Sequence, residues 1–268
     1  MTALTTDGLL TAADRLGVQT LPLALAVGPS HDDHRQWRMA QQRAAESLTR
    51  TGIIDEAGTV VDELAQALRV LAQPESELAA RRYSGDGTLR ICLARQGLEH
   101  ALAVRHGDDI EVRPEWVDES PGAAARPLLR ALPAGEPAAI EVLRVPADEL
   151  ARRLDEAGSS AEYTDAFFAL GMAGRDATVA GMAFGTCRAV TEIVAYQHGD
   201  GVTTQAPGAV VVYDTDYGRI VVAPTVAADH RTWATMTPGT DHRVAAAVTA
   251  LIEGLPGGRW APEQIVTE

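Results

Sequence analysis

The clearest hydrophobic pattern lies near the carboxyl end of the chain. Its apolar side chains recur every three or four residues, as on one face of an amphipathic helix: Val244, Val248, Leu251, Ile252 and Leu255. Thr237 and Pro238 suit the cap and the first position of that helix. Ahead of them, β-branched residues from Ile220 to Val222 predict a strand that a proline closes. This region is therefore predicted to be a strand followed by a helix.

The amino-terminal part mixes helical and extended patterns. Helices are predicted at residues 5–16, at about 31–50 and at 60–72, and the last carries a leucine-rich apolar face. The apolar segment from Val18 to Val27 predicts a strand at an edge or with a bulge, because Pro22 interrupts it.

After residue 77, apolar and polar residues alternate with a period of two instead of the helical period. Strands are predicted at 78–83, 88–95, 98–105 and 109–113, joined by tight turns that contain glycine. Leu89, Ile91 and Leu93 share one face of the second of these strands. Such alternation is typical of an antiparallel sheet with one covered face.

The second half of the chain follows a similar plan. A strand at 140–145 and a helix from Pro146 to about Ala157 precede a helical segment, 162–184, that glycines interrupt. Small residues on a helix favour close helix packing over a phosphate loop, whose glycine spacings are missing here. A second meander follows at 186–197, 209–213 and 219–223, and its many valines predict deeper burial than in the first meander.

Short motifs recur between the two halves. Gly85-Asp86-Gly87 returns as Gly199-Asp200-Gly201, and the proline that closes a strand at Pro114 returns at Pro224, at nearly equal separations. Residues 1–268 are therefore predicted to form a single α+β domain of two pseudo-repeats, about 1–135 and 136–268. We expect the two halves to superpose and to share one continuous antiparallel sheet.

Composition narrows the class of protein. The 268 residues are 46% hydrophobic and 22% charged, with a formal net charge of −14. That charge argues against nucleic acid and anionic membranes as partners, because both favour basic patches. No apolar run is long enough to insert into a membrane, and Cys92 and Cys187 lie inside predicted strands, as small buried side chains of a reducing compartment do. The predicted location is cytoplasmic.

No catalytic or ligand-binding motif stands out. His31, His34, His230 and His242 are interpreted as helix-start and loop residues, so neither a metal nor an organic cofactor is expected at them. Asp229-His230 and Asp241-His242 are the best acid–base candidates, but a solvated helix end explains them better. The acidic segment from Tyr213 to Gly218 suits a hairpin turn better than a calcium loop.

The carboxyl-terminal signature gives a resemblance. Gly-Arg-Ile-Val-Val-Ala-Pro at 218–224, Trp233, Thr-Pro-Gly-Thr-Asp-His-Arg-Val at 237–244 and the Leu-Pro at 255–256 resemble the EspG family of ESX (type VII) secretion chaperones of actinobacteria. Gly-Ile-Ile-Asp-Glu-Ala-Gly at 52–58 and Leu-Ala-Gln-Pro at 71–74 extend the resemblance. It implies a quasi-twofold α+β fold, a central antiparallel β-sheet flanked by two helical bundles.

The resemblance also implies a function. Members of this family bind a PPE protein within a PE–PPE heterodimer in the cytosol, keep it soluble and deliver it for export. Their contact surface lies on the central sheet and the carboxyl-terminal bundle. The implied partner is therefore a PPE-like protein or a related helical substrate, bound without a cofactor and without enzymatic activity.

Contact residues are predicted here from the alternation along 98–105. The larger apolar set, Leu102 and its neighbours, is expected to face inward and the small residues outward. The candidate contacts are Arg90, Ala101, Ala103 and Arg105. The alternatives are a small-molecule enzyme with an enclosed pocket and a protein that self-associates through the same sheet face or an edge strand.

Overall fold

The fold is an eleven-stranded sheet with helices on both of its faces. A computed structural model describes residues 2–29, 31–118, 120, 122–227 and 229–261. The first half contains β1 (Thr2–Thr5), α1 (Thr6–Arg15), α2 (His34–Arg50), α3 (Asp62–Ala72), β2 (Ser76–Ser84), β3 (Gly87–Gln96), β4 (Glu99–His106), β5 (Asp109–Glu115) and α4 (Ala125–Ala131). The second half contains β6 (Leu143–Pro146), α5 (Ala147–Glu156), α6 (Ser160–Ala169), α7 (Gly174–Gly185), β7 (Cys187–Gly199), β8 (Val202–Gln205), β9 (Val210–Thr215), β10 (Gly218–Val226), β11 (Thr232–Pro238) and α8 (Asp241–Glu253).

The strand order has a quasi-twofold pattern. The two halves meet where β2 pairs with β7, and outward from this seam the order is β2-β3-β4-β5-β1 on one side and β7-β9-β10-β11-β6 on the other. Neighbouring strands on this path pair antiparallel, and β8 adds an extra hairpin to β7. The expectation of one continuous antiparallel sheet is confirmed. Superposition of the two halves stays a prediction.

Two sheet faces carry different helices. On the first face, which we call the bundle face, α1 and α3 cover β3–β5 with α2 packed on α1, while α5–α7 cover β10, β11 and β6. On the opposite face, α4 and α8 pack together over the middle of the sheet. Three apolar cores result, and the bundle face holds two of them, one towards each end of the sheet.

Two local predictions are wrong for backbone reasons. Residues 18–27 form no strand; Pro22 instead precedes a short 3₁₀ turn, Leu23–Leu25, after which Ala26 is left-handed with φ 48°. The last helix begins at Asp241 with Thr240 as its cap, because Thr232–Pro238 is a strand that pairs with both β10 and β6. A threonine cap was predicted correctly, but the cap is Thr240, three residues after the predicted Thr237.

The carboxyl-terminal signature contains one buried arginine. Arg219 is 3% exposed, and its Nε donates to Asp214 Oδ1 at 2.6 Å. Its guanidinium also donates to the Pro133 carbonyl, so it ties the linker between the halves to the sheet. A Cβ on Gly239 would lie 2.8 Å from the Arg219 carbonyl carbon, a distance that real side chains do not show. The signature residues are therefore architectural, as the sequence indicated.

Helices α6 and α7 pack unusually closely, as the helical glycines predicted. A Cβ on Gly181 would lie 2.6 Å from the Thr164 backbone nitrogen and 2.7 Å from its Cα. Because backbone atoms are in the way, the two helices would have to separate to admit a methyl group.

We expect Gly181→Ala to destabilise the protein by about 1–3 kcal/mol, since overpacking outweighs the gain in helix propensity. Urea unfolding followed by circular dichroism measures this. Gly28→Ala is the control, because nothing lies within 4 Å of its Cβ position. A Gly181→Ala protein that is more stable than the unmodified protein would contradict the close packing.

Candidate functional site

The predicted contact residues do not form an open surface. Ala101 and Ala103 are fully buried in the amino-terminal core, beneath α3. The expectation that they face outward is wrong, because both faces of β4 are covered: Leu102 points to α4 and α8, and the alanines point to the bundle. Arg90 and Arg105 lie at the margin of the same face and bind the 3₁₀ turn.

The open part of the bundle face lies between the two helical bundles, on the central strands. Within a strand pair, directly opposite residues share a face, and the register places Arg81 opposite Glu192 and Tyr83 opposite Val190. We call this surface the central strip. It consists of Arg81, Tyr83, Val190, Glu192, Val194, Tyr196 and Val211.

The strip has the composition of a protein interface. Tyr83 is 43% exposed, Glu192 is exposed, and the valines are half-buried. Aromatic and arginine side chains are enriched in interface cores, and an apolar surface with few charges loses little on desolvation. The expectation that the second meander is the more buried one is wrong, because no helix in the described part of the chain covers this face of β7.

A cleft adjoins the strip on the side of the amino-terminal bundle. Its volume is about 310 Å³, and it shares Arg81 and Tyr196 with the strip. One wall is the segment from Thr20 to Ala24, with Leu71 and Pro74 beside it, and the polar floor contains Glu77 and His198. Leu23, at the rim, is 90% exposed.

The floor of the cleft holds a buried carboxylate. Glu77 is 6% exposed, and burial raises its pKa, while the nearby His198, Cys92 and Arg81 act in the opposite direction. His198 Nε2 lies 3.5 Å from Glu77 Oε2, longer than an ordinary hydrogen bond. Among the described residues, His198 Nε2 and Arg81 Nε are buried without a hydrogen-bond partner.

This cluster lacks the properties of a catalytic thiol site. Cys92 is fully buried, and desolvation raises the pKa of its thiol well above the usual value, with the Glu77 carboxylate adding to the effect. A reactive cysteine needs the opposite, an exposed thiol with a lowered pKa. Cys92 therefore packs as a small apolar side chain.

The predicted helix-start and loop residues lie apart from the cleft. His34 begins α2 and stacks on Trp37, and His242 is in the first turn of α8. His230 lies in the turn between β10 and β11, with a left-handed φ of 63°. In the described ranges, no group of three or more His, Cys, Asp or Glu side chains could hold a metal ion. No helix there is long and apolar enough to cross a membrane.

The acidic segment 213–218 is a hairpin turn, as predicted. Asp216 and Tyr217 connect β9 to β10, and Thr215 Oγ1 accepts from the Tyr217 N–H at 3.0 Å. Asp214 faces Arg219 and, at 3.4 Å, Arg82. Its carboxylate thus pairs with arginines of the sheet.

An antiparallel sheet whose central strip lies open between two helical bundles is typical of a protein that binds another protein. Comparison with known families agrees. The model of the EspG family matches residues 5–250, and the chain belongs to this family. The resemblance drawn from the carboxyl-terminal signature is confirmed.

Relatives cover nearly the whole chain. The ESX-3 secretion-associated protein EspG3 of Mycolicibacterium smegmatis is 32% identical over 98% of this chain and 90% of its own length. The ESX-1 secretion-associated protein EspG1 of Mycobacterium tuberculosis is 31% identical over 96% and 88%. The solved Mycobacterium tuberculosis type VII secretion system chaperone EspG5, in complex with the PE25-PPE41 dimer, matches with a TM-score of 0.80 and 22% identity over 98% of this chain and 99% of that one. The α+β architecture is therefore that of EspG5.

Proposed function

We propose that this chain is a cytoplasmic chaperone of a type VII (ESX) secretion system. It binds a PPE-like protein within a PE–PPE-type heterodimer, keeps it soluble and delivers it for export. The observation that carries the proposal is the central strip, an open face of the sheet in a fold shared with a chaperone solved on such a dimer. The chain acts as one domain of two pseudo-repeats, about 1–135 and 136–268.

Surface chemistry favours binding over catalysis. Half-buried valines on open strands leave apolar surface in contact with water, and covering it with a partner is favourable by about 25 cal/mol per Å². The strip is a floor between two bundles, so an apolar helical tip would contact both the sheet and the bundles. We therefore propose a binding protein without enzymatic activity and without a cofactor.

We expect Tyr83→Ala to weaken client binding by at least tenfold, because tyrosines on protein-binding surfaces are frequent hot spots. Glu192→Arg should do the same by placing two arginines opposite each other on the strip. The measurement is isothermal titration with a purified PE–PPE-type heterodimer.

Matched controls distinguish the loss of a client contact from a general loss of stability. Tyr217 is also 43% exposed but lies in the β9–β10 turn, and Glu46 is an exposed glutamate on α2. Tyr217→Ala and Glu46→Arg should bind like the unmodified protein. If both strip variants fold and retain full affinity, the client does not bind at the strip. A protein that binds no such heterodimer at all would refute the proposed function.

A further inference from the structure

The cleft beside the strip has a rim that the sheet holds in place. The Arg105 guanidinium donates to the carbonyls of Leu25, at 2.8 Å, and of Ala26, and Arg90 donates to the carbonyl of Ala24 at 3.3 Å. The 3₁₀ turn is thus fixed through its backbone, which leaves the Leu23 side chain 90% exposed at the mouth of the cleft. A large apolar side chain held in water on a fixed turn is available to a partner.

The two sides of the cleft differ in chemistry. The wall is aliphatic, from Leu21, Pro22 and Leu71, whereas the floor is lined by Glu77, Arg81 and His198. A positively charged occupant would meet Arg81, and a negatively charged one would meet Glu77. An uncharged group that both donates and accepts a hydrogen bond satisfies the two together, and a peptide bond is such a group.

The size of the cleft limits its occupant. About 310 Å³ is at the lower end for a small-molecule site, so the space suits one side chain with its peptide group. Because the cleft shares Arg81 and Tyr196 with the strip, a client lying on the strip would extend directly into it.

We propose that the cleft binds one aliphatic residue of an extended client segment. Its side chain packs against Leu23 and the aliphatic wall, its N–H is donated to the Glu77 carboxylate, and its carbonyl accepts from the Arg81 guanidinium. This inference rests on the proposed function and adds a second anchoring point, outside the central strip. Arg90 and Arg105 are positioning residues here, because they hold the rim and touch no client.

The test is the affinity of Leu23→Ala and Glu77→Gln, in the full chain, for the purified PE–PPE-type heterodimer. Both should bind at least tenfold more weakly than the unmodified protein. Leu98→Ala is the matched control, since Leu98 is 76% exposed but does not line the cleft, and it should bind within twofold. Thermal unfolding should show that Leu23→Ala is as stable as the unmodified chain.

The outcomes distinguish this inference from the proposed function. If the unmodified protein binds the heterodimer and Tyr83→Ala weakens it, but Leu23→Ala and Glu77→Gln do not, then the cleft is not a client site and the chaperone function stands. If the unmodified protein does not bind, both proposals fall. If sedimentation shows a dimer that Leu23→Ala converts to a monomer while client affinity is unchanged, the occupant is a second copy of the chain and the inference is wrong.

Discussion

Ala103→Glu is expected to prevent stable folding. The Ala103 side chain is fully buried between β3 and β5 and beneath α3, among apolar side chains. The arginines at the margin of this face, Arg90 and Arg105, already donate to carbonyls of the 3₁₀ turn. Burying an unpaired charge and overfilling a packed layer together cost more than about 5 kcal/mol. That cost is comparable to the whole stability of a typical domain, so we expect the variant in the insoluble fraction after expression.

Ala57→Glu is the control for this experiment. Ala57 is exposed in the loop before α3, so the same substitution there should change stability by no more than about 0.5 kcal/mol. The measurement is soluble yield followed by urea unfolding. A soluble Ala103→Glu protein with a normal unfolding midpoint would show that the amino-terminal bundle does not cover β4 in solution.

The burial of Ala103 contradicts the face that was predicted for it from the alternation along 98–105. Large and small apolar residues alternate along β4, and the small ones were expected to face solvent. Yet Ala101 to Val104 contains no polar residue, and neither does Ile91 to Ala94 on β3. Strands covered on both faces have such unbroken apolar runs. The small residues lie where α3 approaches the sheet closely, and this signal was available in the sequence.

The central strip was harder to predict from the sequence. Val190 and Val194 suggested burial, while Glu192 between them was the one sign that this face of β7 is open. Whether a valine is covered depends on how far each bundle reaches across the sheet, and that is set by packing between distant segments. The cleft depends on even more remote contacts, since it brings residues 20–24 to β7 and β8. No local pattern encodes those contacts.

The order of elements was predictable because local signals agree with the final fold. Glycine turns separate strands of alternating polarity, and most helices begin near a capping residue or proline. The errors occurred where tertiary pairing overrode a local signal, as at Thr237, whose strand hydrogen bonds replace the expected helix cap. The family signature was informative for a different reason: it contains the buried Arg219 and Gly239, which leaves room for it.

Arg219→Met is expected to lower the free energy of unfolding by about 3–5 kcal/mol, the usual cost of removing one partner from a buried ion pair. The substitution leaves Asp214, which is largely buried, facing Arg82 at 3.4 Å as its remaining cation. It also removes the hydrogen bond to the Pro133 carbonyl, at 2.6 Å, which ties the linker to the sheet. Methionine fills much of the volume of the arginine side chain. The loss of stability therefore measures mainly the missing polar contacts and not a cavity.

Arg188→Met is the matched control. Arg188, on β7, pairs at 3.0 Å with Asp216 of the β9–β10 hairpin, but 68% of its side chain is exposed. An exposed pair contributes about 0–1 kcal/mol, so the two substitutions should differ severalfold when urea unfolding is followed by circular dichroism. Equal and small losses of stability would mean that the Arg219–Asp214 pair is as solvated as the Arg188–Asp216 pair. A large loss for Arg219→Met alone would show that this arginine, for which Gly239 leaves room, stabilises the join between the halves.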